Sequence, residues 1–259
     1  MRPGTLTAGL LLTCLACSPA AAAEGAGSFR LVYKPSTQLV EYRVSQVDRV
    51  SDQPDKAPVK WDLQQIAQIT SQELRAAPDG SLLVDGEVLG ESAFAPGHDA
   101  DAPAPLDKPR PFKYGMSARG EVAQDLATED ATAVLAPVMP EGAVSPGFKW
   151  ATRAPTAPGL KVPVTVNHEF LEVKVVDGMP CAIVVSEAQV KSPATGEVTV
   201  AFKGNAQTAL SLTDGQLVHF EGFTALALRS TPAGAAGPQV LRRETLRTVV
   251  RQPASGGSQ

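Results

Sequence analysis

The chain has few of the residues that commonly support covalent cross-linking, metal binding or catalysis. Its 259 residues include three cysteines and three histidines, and aromatic side chains make up 5% of the composition. Cys14 and Cys17 lie near the N-terminus, and Cys181 is the remaining cysteine. If the N-terminal segment is removed, no internal disulfide can form, so the fold must rest on its apolar core. We expect Cys181, which lies in an apolar run, to be a buried thiol.

The chain also lacks a surplus of basic residues. Its formal net charge is −4, so it has no general excess of cations for neutralising phosphates. We therefore expect no nucleic-acid partner. The densest arginines alternate with apolar residues, and we interpret them as the solvated face of an edge strand, with a binding patch as the alternative. These arginines are Arg242, Arg243, Arg247 and Arg251.

The N-terminus has the layout of a secretory signal peptide. An apolar run covers residues 6–17, and alanines follow at 20–23. The run is too short to span a bilayer, and the small residues fit a signal peptidase. We expect residues 1–23 to be removed and the protein to be exported, to the periplasm, the cell surface or the medium. Loss of Arg2 would take the net charge from −4 to −5.

A lipid anchor is the alternative to plain cleavage. Cys14 ends a Leu-Leu-Thr-Cys sequence that resembles a lipoprotein box, although Thr13 is larger than the usual small residue. Cys17 follows the small Ala16, but the leading leucine is missing. Lipidation of either cysteine would anchor the protein to a membrane with no transmembrane helix in the mature chain.

Alternation of apolar and polar residues predicts β structure along the rest of the chain. Residues 40–47 alternate with the period of a half-buried strand. We interpret 62–76 and the segment after it as a long hairpin, with a helix over 62–76 as the alternative, and expect a short helix over 129–135. Glycine turns separate further strands in the C-terminal part. These strands are predicted at 166–176, 181–190, 198–202, 208–212, 216–228 and 239–251.

The predicted fold class is all-β with minor α content. We expect an antiparallel meander that forms a strongly curved sheet or half-barrel, and a duplication of two halves remains an open alternative. Five prolines make residues 93–111 a loop or linker. The predicted organisation is a leader at 1–23, an N-terminal β region at 24–92, this linker at 93–111, a C-terminal antiparallel β region at 112–253 and a disordered tail at 254–259.

Part of the chain resembles a known group of sequences. The passage 135–150, with its proline and valine residues and a Gly-x-x-Trp-like step ending at Trp150, resembles one found in exported bacterial β-rich proteins and lipoproteins of unknown function. Residues 168–173, 182–183 and 214–217 are similar to the same group. The resemblance covers roughly residues 130–230. It implies an all-β fold and a place in the cell envelope, and it brings no catalytic residues.

The histidines do not form a recognised site. His168 begins a sequence like the zinc-protease motif H-E-x-x-H, but Glu172 replaces the second histidine, and a strand would hold these positions far apart. We interpret His98 as part of a solvated acidic loop and His219 as lying on the wet face of a strand. No nucleophile elbow, P-loop or dinucleotide motif is present in the sequence. We therefore predict no catalytic, cofactor or metal residues.

Trp61 and Trp150 are the candidates for lining a ligand pocket, with the role of core anchor as the alternative. The leading hypothesis is a non-catalytic envelope protein that binds an apolar or amphipathic ligand, such as a lipid, or an envelope protein partner, on the concave apolar face of the sheet. The alternatives are a structural or protein-interaction module at the cell surface and a hydrolase with an unrecognised site. Exposed sheet edges would favour the module. A buried histidine–carboxylate pair beside a serine would favour the hydrolase.

Overall fold

The computed structural model describes residues 27–94, 103–122, 131–154, 164–191, 198–231 and 237–253. The expected leader, the candidate lipidation sites Cys14 and Cys17, His98 and the expected tail lie outside these ranges. The described residues form one short 3₁₀ helix, Ala131–Leu135, and ten strands. The strands are β1 Ser36–Pro54, β2 Asp62–Ala76, β3 Leu82–Phe94, β4 Pro105–Met116, β5 Lys149–Ala154, β6 Val164–Val176, β7 Met179–Lys191, β8 Val198–Ser211, β9 Leu217–Ser230 and β10 Gln239–Arg251.

All ten strands belong to one antiparallel sheet, which confirms the predicted all-β class. Their order is β4-β3-β2-β1-β10-β9-β8-β7-β6-β5, and the sheet is open, with β4 and β5 as its outer strands. Two meanders, β1–β4 and β5–β10, therefore meet at the centre, where β1 pairs with β10. The predicted N-terminal and C-terminal β regions are parts of the same sheet.

Two hairpin turns contain residues with positive φ angles, which glycine and aspartate adopt more readily than most residues. Asp177 and Gly178 join β6 to β7 with φ values of 49° and 78°. A two-residue turn with both φ angles positive matches the twist of the flanking strands, and Asp-Gly is suited to it. Gly80 lies in the turn between β2 and β3 with φ of 84°, so residues 62–76 form a hairpin strand and the helical alternative is wrong.

Three sequence-based boundaries need correction. The linker predicted at 93–111 includes the start of β4 at Pro105, because an outer strand needs backbone donors on one side only and so tolerates proline. The two strands predicted at 198–202 and 208–212 are one strand, since residues 203–207 continue the alternation of exposed and buried positions. The helix predicted at 129–135 is a 3₁₀ turn from Ala131 to Leu135.

The main core lies on one face of the sheet, which we call the packed face. It carries buried side chains such as Phe170, Val184 and Phe202. Between β4 and β5 the chain crosses this face. Three side chains of the crossing segment pack into the two main core clusters: Leu135, Met139 and Val144. The contact is close: a Cβ atom on Gly204 would lie 3.0 Å from Leu135 Cδ1. Much of the apolar face is thus occupied by the protein's own chain.

A buried carboxylate fastens the central pair of strands. Asp48 on β1 is 6% exposed, and its Oδ1 accepts a 2.6 Å hydrogen bond from the Thr245 hydroxyl on β10. The Arg243 guanidinium lies 3.3 Å from the same oxygen, and Gln46 donates to Oδ2 at 2.7 Å. The arginines of β10 were predicted to lie on a solvated edge strand. That prediction is wrong, because β10 is a central strand; Arg243 reaches Asp48 on β1, and Arg251 reaches Asp214 in the turn between β8 and β9.

Candidate ligand-binding trough

Small side chains leave a trough on the opposite surface of the sheet, which we call the open face. Ala201, Ala227 and Arg242 stand side by side on β8, β9 and β10, and Ser51 of β1 is the next residue in this row. Ala225 lies in the adjacent row between Lys203 and Glu244. Because an alanine ends at its Cβ atom, three alanines on adjacent strands make a low floor between longer neighbours.

Trp61 forms one wall of the trough. It lies at the end of the β1–β2 connection, one residue before β2, and is 39% exposed. The connection is held over β9 and β10 by an ion pair between Asp55 and Arg229 at 2.9 Å and by a hydrogen bond from the Asp55 amide to the Pro238 carbonyl at 3.0 Å. The trough has a volume of about 310 Å³. That volume is at the lower end of the range of about 300–1,000 Å³ for small-molecule sites.

Two polar atoms beside the trough are buried without a hydrogen-bond partner. One is Nη1 of Arg242, which lines the trough, and the other is Oγ of its cross-strand neighbour Ser51. Ser51 is 1% exposed. A buried donor without an acceptor costs about 1–3 kcal/mol, so native proteins seldom keep one without a reason. Because Nη1 has almost no accessible surface here, a ligand oxygen at this end of the trough would satisfy its N–H after the guanidinium turns towards the trough.

The charges around the trough favour an anionic ligand. Lys203, Arg242 and Glu244 all line it, and the carboxylate of Glu244 is 3.8 Å from the guanidinium of Arg49, which leaves an excess of positive charge. The alanine floor and the indole ring of Trp61 supply apolar contacts on the remaining sides. The arrangement therefore fits a molecule with an apolar body and an acidic or carbonyl oxygen near Arg242.

Trp150, the other tryptophan predicted to line a pocket, is an anchor for the crossing segment. Its indole N–H donates a 2.7 Å hydrogen bond to the Val138 carbonyl, and its ring stacks on His168 with centroids 5.2 Å apart. Phe148 also stacks against the Trp150 ring, with centroids 6.0 Å apart. The ring is half-buried against the packed-face core, away from the trough. Of the two tryptophans, the structure brings only Trp61 into a candidate site.

His168 is buried on β6 among hydroxyl groups. Its Nε2 lies 2.7 Å from the Thr152 hydroxyl and its Nδ1 lies 2.8 Å from the Ser186 hydroxyl. Burial lowers the pKa of His168 to about 4, so the ring is neutral near pH 7. The hydrogen bonds described for this ring include no carboxylate, so the histidine–carboxylate pair that would favour a hydrolase is not formed there. Both ring nitrogens are satisfied, as in a structural histidine.

His219 and Cys181, the other residues considered in the sequence, do not line the trough. His219 is on β9 with its Nε2 4.0 Å from a Glu221 carboxylate oxygen, as expected for a partly exposed strand residue. Cys181 is fully buried, and burial raises the pKa of its thiol, which confirms the expected buried position. In the described part of the chain, no group of three or more His, Cys, Asp or Glu side chains is placed to hold a metal ion.

Searches with known proteins give no family for this chain. No protein-family model matches it, and no curated protein matches it either. Within the ranges that the structure describes, no helix is long and apolar enough to cross a membrane.

The trough was only partly foreseeable from the sequence. Trp61 is a candidate and Arg242 belongs to the arginine cluster for which a binding patch is the alternative, but Ser51 and the alanines carry no such signal. The floor combines residues from β8 and β9 whose register depends on the whole sheet. The only available signal was the pair of alternating alanines at 225 and 227, which leave one face of a strand without large side chains.

Proposed function

We propose that the protein is a non-catalytic envelope protein that binds an amphipathic small molecule in the trough of the open face. The observation that carries this proposal is the buried, unpartnered Nη1 of Arg242 beside an alanine floor. The acidic or carbonyl oxygen of the ligand accepts from Arg242, and its apolar body lies on the alanines against Trp61. A fatty acid or a lipid fragment with a single acidic group has this chemistry.

Export is part of the proposal. It is supported by the leader-like sequence at 1–23, and lipidation at Cys17 or Cys14 is the anchored form of the same idea. Envelope proteins meet amphipathic molecules in the membranes that surround them, so the location and the trough chemistry agree.

The first test is native mass spectrometry of the protein purified after expression with its own N-terminal segment. An added mass that is lost on denaturation and matches an acidic amphiphile supports the proposal and identifies the ligand class. The second test is a fluorescence titration with 1-anilinonaphthalene-8-sulfonate, which is flat, apolar and anionic. Decanoate then serves as a competitor for the same site.

Variants distinguish binding in the trough from non-specific binding of the dye to the protein surface. Arg242→Met should weaken binding of the sulfonate about 10- to 150-fold, because a hydrogen bond to a charged group contributes about 1.5–3 kcal/mol. Ala225→Leu should block the floor. The matched controls are Arg153→Met and Ala151→Leu on β5, where both side chains are exposed. Equal affinity in wild type and both trough variants, with a clean apo mass, would refute the proposal.

A further inference from the structure

One segment of β6 is an open edge although β6 is not the last strand of the sheet. β5 pairs with β6 only as far as Glu169, and the chain before β5 makes its last bonds with β6 at Phe170. β7 pairs with β6 on its other side as far as Val176. No described residue pairs with the outer side of residues 171–176. Leu171 is a bulge against β7, and beyond it the backbone groups of Val173 and Val175 point to the outer side, where they are open to another strand.

The side chains of this open edge are apolar and exposed. Leu171 is 45% exposed, Val173 is 39% exposed and Val175 is 67% exposed. An open edge with such side chains is a template for strand addition. Lys174 in its middle gives partial protection, whereas proteins protect such edges more fully with several prolines and lysines or with coverage. β4, at the opposite end of the sheet, is protected in this way. It carries Pro105, Lys108, Pro109, Arg110, Pro111 and Lys113.

The charges on the edge are self-complementary. Glu172 and Lys174 flank Val173, with no other charge between Leu171 and Val176. If two copies of the edge pair antiparallel about a two-fold axis at Val173, Val173 lies opposite its own counterpart and Glu172 lies opposite the partner's Lys174. A two-fold axis at Glu172 or at Lys174 would instead place like charges opposite each other. The charge pattern therefore selects one register.

We propose that the edge around Val173 pairs with the same segment of a second copy and joins two sheets edge to edge. The contact forms the Glu172–Lys174 ion pair twice, once on each side of the axis, and brings Val173 against the partner's Val173. A five-residue edge is short, so the interface is small and the dimer is weak and reversible. The trough is built on β8, β9 and β10, and it stays accessible in this dimer.

The test is sedimentation equilibrium of the full chain up to about 500 µM, the range suited to a small interface. Wild type should be in monomer–dimer exchange. Glu172→Lys and Lys174→Glu should each weaken association at least about tenfold, because each places like charges opposite one another at two symmetric positions. The double variant Glu172→Lys/Lys174→Glu restores opposite charges and should dimerise like wild type.

Rescue by the double variant separates pairing from damage to the fold. Circular dichroism and the thermal midpoint of each variant check that the sheet is intact, and sulfonate binding checks the trough independently. A monomeric wild type over the whole concentration range would overturn the proposal. It would also be overturned if the three variants associated equally well, or if the double variant remained as weak as the single ones.

Discussion

Replacing Arg242 by methionine should stabilise the ligand-free protein while it weakens ligand binding. In the free protein Nη1 of Arg242 is buried with no acceptor, and methionine keeps an apolar stem of similar length without that donor. A buried unpartnered donor costs about 1–3 kcal/mol. We use the lower limit, about 1 kcal/mol, because the arginine side chain as a whole is only half-buried.

The assay is thermal unfolding with and without 1-anilinonaphthalene-8-sulfonate. A gain of about 1 kcal/mol corresponds to about 2–4 °C in a protein of this size. Ligand at about 100 times its dissociation constant adds about 2.7 kcal/mol to wild type and much less to the variant. The two proteins should therefore exchange rank: the variant melts higher alone, and wild type melts higher with ligand.

The control is Arg153→Met on β5, where an exposed arginine should change stability by less than about 0.5 kcal/mol. A ligand-free Arg242→Met protein that melts several degrees below wild type would refute the reasoning. It would mean that the guanidinium is satisfied in the free protein, and the main argument for a ligand oxygen at that position would be lost.

Three further predictions concern buried groups away from the trough. Asp48→Ala should lower the free energy of unfolding by about 3 kcal/mol in urea titrations, because it leaves the Thr245 and Arg243 donors without their acceptor; Asp52→Ala, an exposed change on the same strand, should have little effect. Burial lowers the pKa of His168 from its usual 6.5 to about 4 in the folded protein. The neutral ring therefore makes its full contribution to the free energy of unfolding above pH 6.5, and this contribution is lost as pH falls towards 4. Wild type should lose about 2 kcal/mol between pH 7 and pH 5 on this account, and His168→Gln should lose less. Cys181 should react with Ellman's reagent only as fast as the protein unfolds, and rapid labelling under native conditions would contradict its burial.

Local patterns in the sequence were sufficient for the strands and their turns. The alternation over residues 40–47 and the Asp177-Gly178 turn each depend on neighbours in the chain, and both are found as expected. The start of β4 at Pro105 is not predicted, because proline excludes a central strand but is tolerated in an outer one. Which strand is outermost is a property of the whole sheet and cannot be read from one segment.

The position of β10 shows the same limit more strongly. Its arginines suggested a solvated edge, yet Arg243 lies next to the buried carboxylate of Asp48, 195 residues away in the chain. Pairing of the last strand with the first is a long-range choice that leaves no local pattern. The trough depends on that pairing too, since it brings Ser51 beside Arg242.

The central β1–β10 pair also determines when the sheet can be completed. Each meander consists of neighbouring hairpins that can form as the chain emerges, whereas β1 has to wait for the last strand to be synthesised. Bringing β1 and β10 together is a slow step in folding, because the chain loses loop-closure entropy before the strand pairing stabilises it. Until then β1 and β9 each have an unpaired edge in the middle of the future sheet. A chain interrupted before Gln239 would therefore remain as two separate half-sheets whose unpaired edge strands, β1 and β9, are prone to pair with other chains.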